Sequence, residues 1–215
     1  MFESLMGQKY KTILADPPWP ERGGGRLKRG ADRHYPLMTV AEIMAMPVVT
    51  LADDEGCHLY LWATNNYLAA GFDVLKAWGF RYITNITWKK DRFGIGQYYR
   101  GLTEHCLFGV RGRLPYKITD GKRQQGVTGF DAPRGRHSEK PEFQRQQIEK
   151  VSYAPRVELF ARKTTTGWDV WGNEINDDAI ADVQNIYIST ITWDHAGRPQ
   201  LSINKKNLKN GEKHE

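Results

Sequence analysis

The chain has 215 residues, 40% of them hydrophobic and 12% aromatic, which suffices to close one α/β core and leaves little room for a second full domain. A formal net charge of +6 and a pI near 9.2 favour a polyanionic partner. No apolar run approaches membrane length and no signal-peptide core opens the sequence, so secretion and membrane insertion are disfavoured and a cytoplasmic location is expected.

The first element is the apolar run Tyr10 to Ala15, read as a strand that delivers Asp16-Pro17-Pro18-Trp19 at its carboxyl end, where open α/β sheets keep their sites. Two prolines fix φ and remove two backbone donors, leaving a carboxylate, outward carbonyls and an aromatic ring within one turn of chain. A proline turn with an Asx-type cap would use the same residue types. The complete four-residue string, however, arises by chance on the order of once in a few thousand chains of this size. Its chemistry suits an exocyclic amino group on a nucleobase, whose lone pair is delocalised into the ring. If Asp16 and the Pro17 carbonyl accept the two N–H hydrogens, the nitrogen is drawn toward a tetrahedral shape and its lone pair is freed. Pro18 and Trp19 then shape the base slot, with Trp19 covering the flat face.

Residues 21–33 combine Gly23, Gly24, Gly25 and Gly30 with the bases Arg22, Arg26, Lys28, Arg29 and Arg33. Glycine at that density suppresses regular structure, and Arg29 and Arg33 are candidates for phosphate contact. Thr39 to Met46 reads as a short helix with Thr39 as N-cap and Glu42 as the capping-box acid. Cys57 to Trp62 is a strand. Asn65 opens a helix whose Leu68, Phe72 and Leu75 form its apolar stripe and which Gly79 ends, and Phe80 to Trp88 is the next strand. This alternation predicts a mainly parallel sheet.

His58 is read as a structural side chain, and Cys57 and Cys106 as reduced core thiols; with no second pair of soft ligands, no metal is expected. Glu104, in the strand that holds His105 and Cys106, is a candidate to accept from a base edge or to position Lys89. Trp88 either stacks on the base or fills the core. The basic, glycine-containing stretches 91–100 and 111–136, with Arg111, Arg113, Lys117, Lys122, Arg123, Arg134 and Arg136, are expected to form the target-recognition surface. Ser138 is read as capping a helix with Lys140 and Pro141 in its first turn, where a cation opposes the helix dipole and hints at a ligand. A strand from Arg156 to Ala161 ends at Arg162. Asn176 to Val183 reads as a last helix, and 185–193 with 199–203 as a hairpin before a lysine-rich tail.

These motifs, in this order, resemble the adenine amino-methyltransferases of the mRNA-adenosine-methyltransferase-like (MTA-type) group, which includes bacterial and phage DNA enzymes. The resemblance runs from Asp16-Pro17-Pro18-Trp19 through Tyr35, Leu61-Trp62-Ala63-Thr64, Trp78-Gly79, Ile86-Thr87-Trp88-Lys89, Glu104-His105-Cys106, Ser138-Glu139-Lys140-Pro141, Glu158-Leu159-Phe160-Ala161-Arg162 and Gly172-Asn173-Glu174. It implies a Rossmann-like α/β fold with permuted motif order, occupying residues 1–183, with 184–215 as an extension. The implied cofactor is S-adenosyl-L-methionine, held by Asp16, Ser138, Lys140, Arg162, Asn173 and Glu174, with Lys140 meeting its carboxylate. Tyr35, Trp88, Lys89, Glu104, Arg29 and Arg33 are the expected substrate contacts. Lys163 and Thr164 replace a proline and a histidine of some relatives, which leaves one ribose contact open. The expected reaction is methylation of the adenine 6-amino nitrogen, with DNA preferred because the chain is compact and carries no appended RNA module. The alternatives are RNA adenosine methylation, protein glutamine methylation, or a catalytically silent nucleic-acid-binding partner subunit; a homodimer or a heteromeric partner is compatible with each.

Overall fold

The computed structural model describes residues 2–21, 37–94, 98–113, 116–135 and 139–172, and the backbone of two further strands at 186–193 and 199–205. The expectations for Arg29, Arg33, Tyr35, Arg136, Ser138, Asn173 and Glu174, and for a helix from Asn176 to Val183, lie outside these residues.

In chain order the elements are β1 (Thr12–Ala15), α1 (Val40–Met44), β2 (Gly56–Ala63), α2 (Leu68–Ala77), β3 (Arg81–Lys90), β4 (Thr103–Gly112), β5 (Ile118–Thr119), β6 (Lys122–Arg123), β7 (Gly129–Ala132), α3 (Glu142–Val151), β8 (Arg156–Leu159), β9 (Asp169–Trp171), β10 (Ile186–Trp193) and β11 (Pro199–Lys205). A seven-stranded sheet has the order β7-β3-β4-β2-β1-β8-β9. Four of its neighbouring pairs are parallel, and the two antiparallel pairs both involve β4. The result is the expected α/β sheet flanked by helices, with one reversed strand inserted between β2 and β3. β5 with β6, and β10 with β11, form separate two-stranded antiparallel ribbons.

β1 and β2 are buried at every position, as expected of strands covered on both faces. Alternation divides their side chains between two cores. Ile13, Leu59, Leu61, Val157 and Leu159 pack with Ile43, Val74, Leu75 and Trp78 on one face. Leu14, Tyr60, Trp62, Ile86, Trp88 and Cys106 pack with Ile148 and Trp168 on the other. α1 starts in the expected capping box: the Glu42 N–H donates to Thr39 Oγ1 and the Thr39 N–H to Glu42 Oε2. After α2, Gly79 adopts φ +81°, and the N–H groups of Gly79 and Phe80 return to the carbonyls of Lys76 and Leu75, a left-handed cap that glycine adopts without strain.

Two helix readings need correction. Residues 65–67 form a 3-10 turn ahead of α2, whose buried positions are Gly71, Val74 and Leu75, while Phe72 lies at the rim against Tyr82. Gly71 lets the helix sit this close, since a Cβ there would stand 3.0 Å from Leu107. The other correction is to α3. It starts at Glu142 with Pro141 as N-cap, so Lys140 precedes the helix instead of occupying its first turn.

His58, read as structural, is 5% exposed; its Nδ1 lies 2.7 Å from Ser152 Oγ, which also meets the Tyr60 hydroxyl at 2.8 Å. Burial pulls the His58 imidazole from its usual 6.5 down to about 4, so the folded chain keeps it neutral where the unfolded chain would already bind a proton. Its stabilising contribution is complete above pH 6.5 and is lost as pH falls toward 4. Urea unfolding across that window should therefore show stability falling by about 3 kcal/mol from this group, with a shallower fall in a folded His58→Asn variant. An identical slope in both proteins would contradict the assignment.

Candidate active site

The parallel register sets the site at one edge of the sheet. Ala15 ends β1 level with Leu61 of β2 and Leu159 of β8, so Asp16 emerges at the carboxyl end of three neighbouring strands. Because β4 runs the other way, its amino end lies at this same edge, with Cys106 opposite Trp62 and Glu104 opposite Trp88. Alternation then chooses the face: Asp16 follows Leu14, Glu104 precedes Cys106 and Lys90 follows Trp88, all in step with residues packed beneath α3. The segment entering α3 brings Lys140 to the same place.

The turn after β1 is clamped. The Trp19 indole N–H donates to the Trp62 carbonyl at 2.9 Å, and its ring stacks on Tyr67 at 5.6 Å with an interplanar angle of 17°. The Tyr67 hydroxyl donates to the Pro20 carbonyl, and the Thr64 hydroxyl donates to the Glu21 carboxylate. The carbonyls of Pro17, Pro18 and Trp19 accept from the N–H groups of Trp19, Met38 and Glu21. The expectation of unpartnered outward carbonyls is thus corrected. The Pro17 oxygen, bonded at 2.8 Å to Trp19 N–H, retains one lone pair for another donor.

Four charged groups alternate along the edge. Lys140 Nζ is 2.6 Å from Asp16 Oδ2 and 3.5 Å from Glu104 Oε2, and Lys90 Nζ is 2.5 Å from Glu104 Oε1. Each ammonium also lies near an indole, Lys140 at 5.4 Å from the Trp62 ring centre and Lys90 at 5.0 Å from that of Trp88. Asp16 keeps 27% of its side chain open to solvent, against 15% for Glu104, so the ion pair is not sealed. The two carboxyls respond in opposite directions. Burial holds Asp16 above the ordinary carboxylate range despite the pull of Lys140 and, more weakly, of Arg162. Burial also pushes Glu104 upward, but Lys140 and Lys90 together bring it below its usual value. Carboxyls whose affinities for a proton are driven apart are suited to different tasks.

The remaining described candidates are placed as follows. Trp19 is 5% exposed beneath Tyr67, so its ring anchors the turn, and the expected stacking on a base would require displacing Tyr67. Trp88 takes the core alternative, 3% exposed, with its indole N–H donating to the Ala132 carbonyl. Lys89 points away and pairs with Asp131 at 3.4 Å; Glu104 positions Lys90, which the sequence reading missed although it shares the parity of Ile86 and Trp88. Arg162 is exposed just past β8, where the chain turns through Phe160 at φ +62°. Next to it, Gly172 lies so close that a Cβ would meet the Ala161 carbonyl at 2.0 Å.

The recognition surface divides in two. Arg111 is level with Cys57 near the start of β2, roughly 17 Å of strand from the level of Trp62. Arg113, Lys117, Lys122 and Arg123 follow it beyond that far edge. Lys117 donates to the Glu149 carbonyl near the end of α3, and Tyr153 OH accepts from the Ile118 N–H. Among the described residues, the stretch that follows Lys90 and the returning segment through β7 to Arg134 belong to the Asp16 edge.

A mainly parallel α/β sheet flanked by helices, with an acidic diproline turn at its carboxyl edge, is consistent with a Rossmann-like S-adenosylmethionine-dependent methyltransferase fold. The chain belongs to the MT-A70 family, which matches residues 10–174. It is 31% identical over 201 residues to the Type II methyltransferase M.MunI of Mycoplasma sp., covering 84% of each chain. It is 28% identical over 190 residues to the human N(6)-adenosine-methyltransferase catalytic subunit METTL3, covering 83% of this chain and 30% of the human one. The Drosophila melanogaster N(6)-adenosine-methyltransferase MT-A70-like protein is also 28% identical, over 83% of this chain and 29% of its own. The chain thus spans most of the first relative and under a third of the other two. Family membership supports S-adenosylmethionine-dependent adenine-N6 methylation of nucleic acid as its general activity.

Trp19→Phe keeps the ring and removes the N–H that satisfies the buried Trp62 carbonyl. Chemical denaturation should show a loss of about 1 to 3 kcal/mol. Unchanged stability would mean that this bond does not hold the turn to β2.

Proposed function

We propose that the chain methylates the 6-amino nitrogen of adenine in nucleic acid, with Asp16 at the reacting nitrogen. The observation that carries this reading is a partly open, hydrogen-bonding carboxylate on a clamped turn, sharing an ammonium with a second carboxylate. The described donor set also fits S-adenosylmethionine: Lys140 offers an ammonium to its carboxylate, Asp16 and Glu104 offset its positive sulfonium, and Arg162 supplies donors for the ribose and adenine, to which the sequence adds Asn173 and Glu174 as candidates. When bound, this cofactor supplies an electrophilic methyl group.

The protein's own part is orientation and charge. Asp16 accepts one amino N–H, and the second lone pair of the Pro17 carbonyl accepts the other, directing the nitrogen lone pair out of conjugation. These acceptors are fixed beforehand by the clamp, so they stabilise the positive charge that develops on nitrogen without reorganising. A nitrogen that has gained a methyl carries one proton too many. The Asp16 carboxylate, whose proton affinity burial raises, is placed to take it.

RNA adenosine is supported as target by the adenosine methyltransferases among the relatives. DNA is the second reading, because those relatives share less than a third of their length with this chain. A silent binding subunit has no chemical use for an oriented Asp16. With radiolabelled cofactor, adenine-containing oligonucleotides should be labelled by the parent protein and not by Asp16→Ala, while oligonucleotide binding survives. Comparing RNA, single-stranded DNA and duplex DNA side by side, with the modified base mapped, identifies the target; label appearing only in protein would overturn the reading.

Lys90 should matter and Lys89 should not. Removing Lys90 leaves Glu104 to draw Lys140 away from Asp16, so Lys90→Met should slow methyl transfer about tenfold or more, a change of at least ~1.4 kcal/mol in the barrier, whereas Lys89→Met stays near the parent rate. Equal rates in the two variants would contradict the charge chain.

A further inference from the structure

We propose that Phe93, Tyr98, Tyr99 and Arg100, between β3 and β4, form a stacking platform for unpaired nucleotides adjoining the target adenine, making single-stranded nucleic acid the preferred substrate. This inference rests on the proposed function and deepens it by naming the form of the substrate.

The described residues on either side of the connection pair as a neck. The Lys90 N–H donates to the Leu102 carbonyl at 2.8 Å, and the Gly94 N–H to the Gly101 carbonyl at 2.6 Å. Arg100 Nε donates to the Gly94 carbonyl at 3.2 Å. Above this neck stand three aromatic rings that contribute nothing to either core: Tyr98 is 94% exposed, Tyr99 93% and Phe93 58%. Large rings presented this fully in one short segment mark a contact surface.

The surrounding charge selects the occupant. The Arg100 guanidinium lies 5.3 Å from the Phe93 ring centre. Asp91 accepts from Arg92 Nε at 3.1 Å, and it anchors the main chain of a third arginine beside the platform by accepting from the Arg134 backbone N–H at 2.8 Å. Exposed rings interleaved with guanidinium groups match bases and phosphates in alternation, because every unpaired base has a π-face and every linkage a negative charge. A duplex keeps its base faces stacked on one another and offers the rings little. The platform is continuous with the reacting group: Lys90 at its root contacts Glu104, which contacts Lys140, which contacts Asp16. A strand held on the rings therefore delivers its next nucleotide to the acidic turn without paying for extrusion from a helix, a cost of a few kcal/mol.

The test compares the full chain with Tyr98→Ala/Tyr99→Ala and Tyr98→Phe/Tyr99→Phe double variants. Fluorescence anisotropy would use a short adenine-containing single strand, as DNA and as RNA, and the DNA duplex of the same sequence. The parent should bind the single strands more tightly than the duplex. The alanine pair should weaken single-strand binding about tenfold or more with little change for duplex, and the phenylalanine pair, which keeps the rings, should bind like the parent. Unchanged affinity in the alanine pair overturns the proposal while leaving the methylation reading intact. An equal loss on duplex also overturns it, as does a change in oligomeric state by light scattering at constant affinity, which would assign the rings to a protein partner. A parent that binds none of the oligonucleotides overturns both readings.

Discussion

The pairing of Asp16 with Lys140 joins segments 124 positions apart in sequence, and most of what is distinctive in the architecture serves to bring it about. β1 must end at the sheet edge, the segment before α3 must return to that edge, and β4 must run backwards so that Glu104 arrives beside them. A partly buried ion pair of this kind is a poor device for stability, because desolvation offsets much of the Coulomb attraction. An apolar pair of similar volume would hold the edge together as well. Retaining two carboxylates and two ammoniums there makes sense if their charge is used.

The clamp on the turn explains why that charge is in a fixed place. An acidic loop free to move would spend reaction free energy on ordering itself, whereas this one is ordered in advance by bonds that do not involve Asp16. Trp19 secures it to β2, Tyr67 covers the ring and bonds Pro20, and Met38 closes the far side through the Pro18 carbonyl. The two prolines contribute in the same direction by narrowing the unfolded ensemble. Of the aromatic residues placed near a base by the sequence, Trp19 is used in this support and Trp88 in the second core. The exposed rings are on the connection from β3 to β4.

Features governed by neighbouring residues were legible in the sequence. The Thr39 and Glu42 capping box, the glycine stop at Gly79, the strands ending at Ala15 and near Trp62, and the place of Asp16 directly after β1 follow from local chemistry and motif order. Features governed by strand direction were not. Hydrophobic alternation is the same for a strand read either way, so nothing local reveals that β4 is reversed, and the bases from Arg111 to Arg123, expected to share one surface with residues 91–100, lie toward the opposite edge. Lys90 is a different case. Counting in twos from Ile86 and Trp88 places it on the face of Glu104, and the adjacent Lys89 on the other. The start of α3 was misplaced because Pro141 is compatible with either the cap or the first turn of a helix, and Lys140 precedes it in both arrangements.

The reversed strand also determines how the net charge of +6 can act. The four groups at the reacting edge cancel in pairs, so the interior of the site exerts no strong pull on a polyanion. Among the described residues, the cations at the rim include Arg92, Arg100 and Arg134 on the side of the aromatic neck. Discrimination must come from within, where a neutral amine gains two acceptors and a phosphate would meet the carboxylates of Asp16 and Glu104. Phosphates are thereby kept on the rim while a base is free to enter. Under the proposed function, such a division lets one small sheet edge hold an anionic strand at its rim and admit only its uncharged part to the carboxylate that orients the amine.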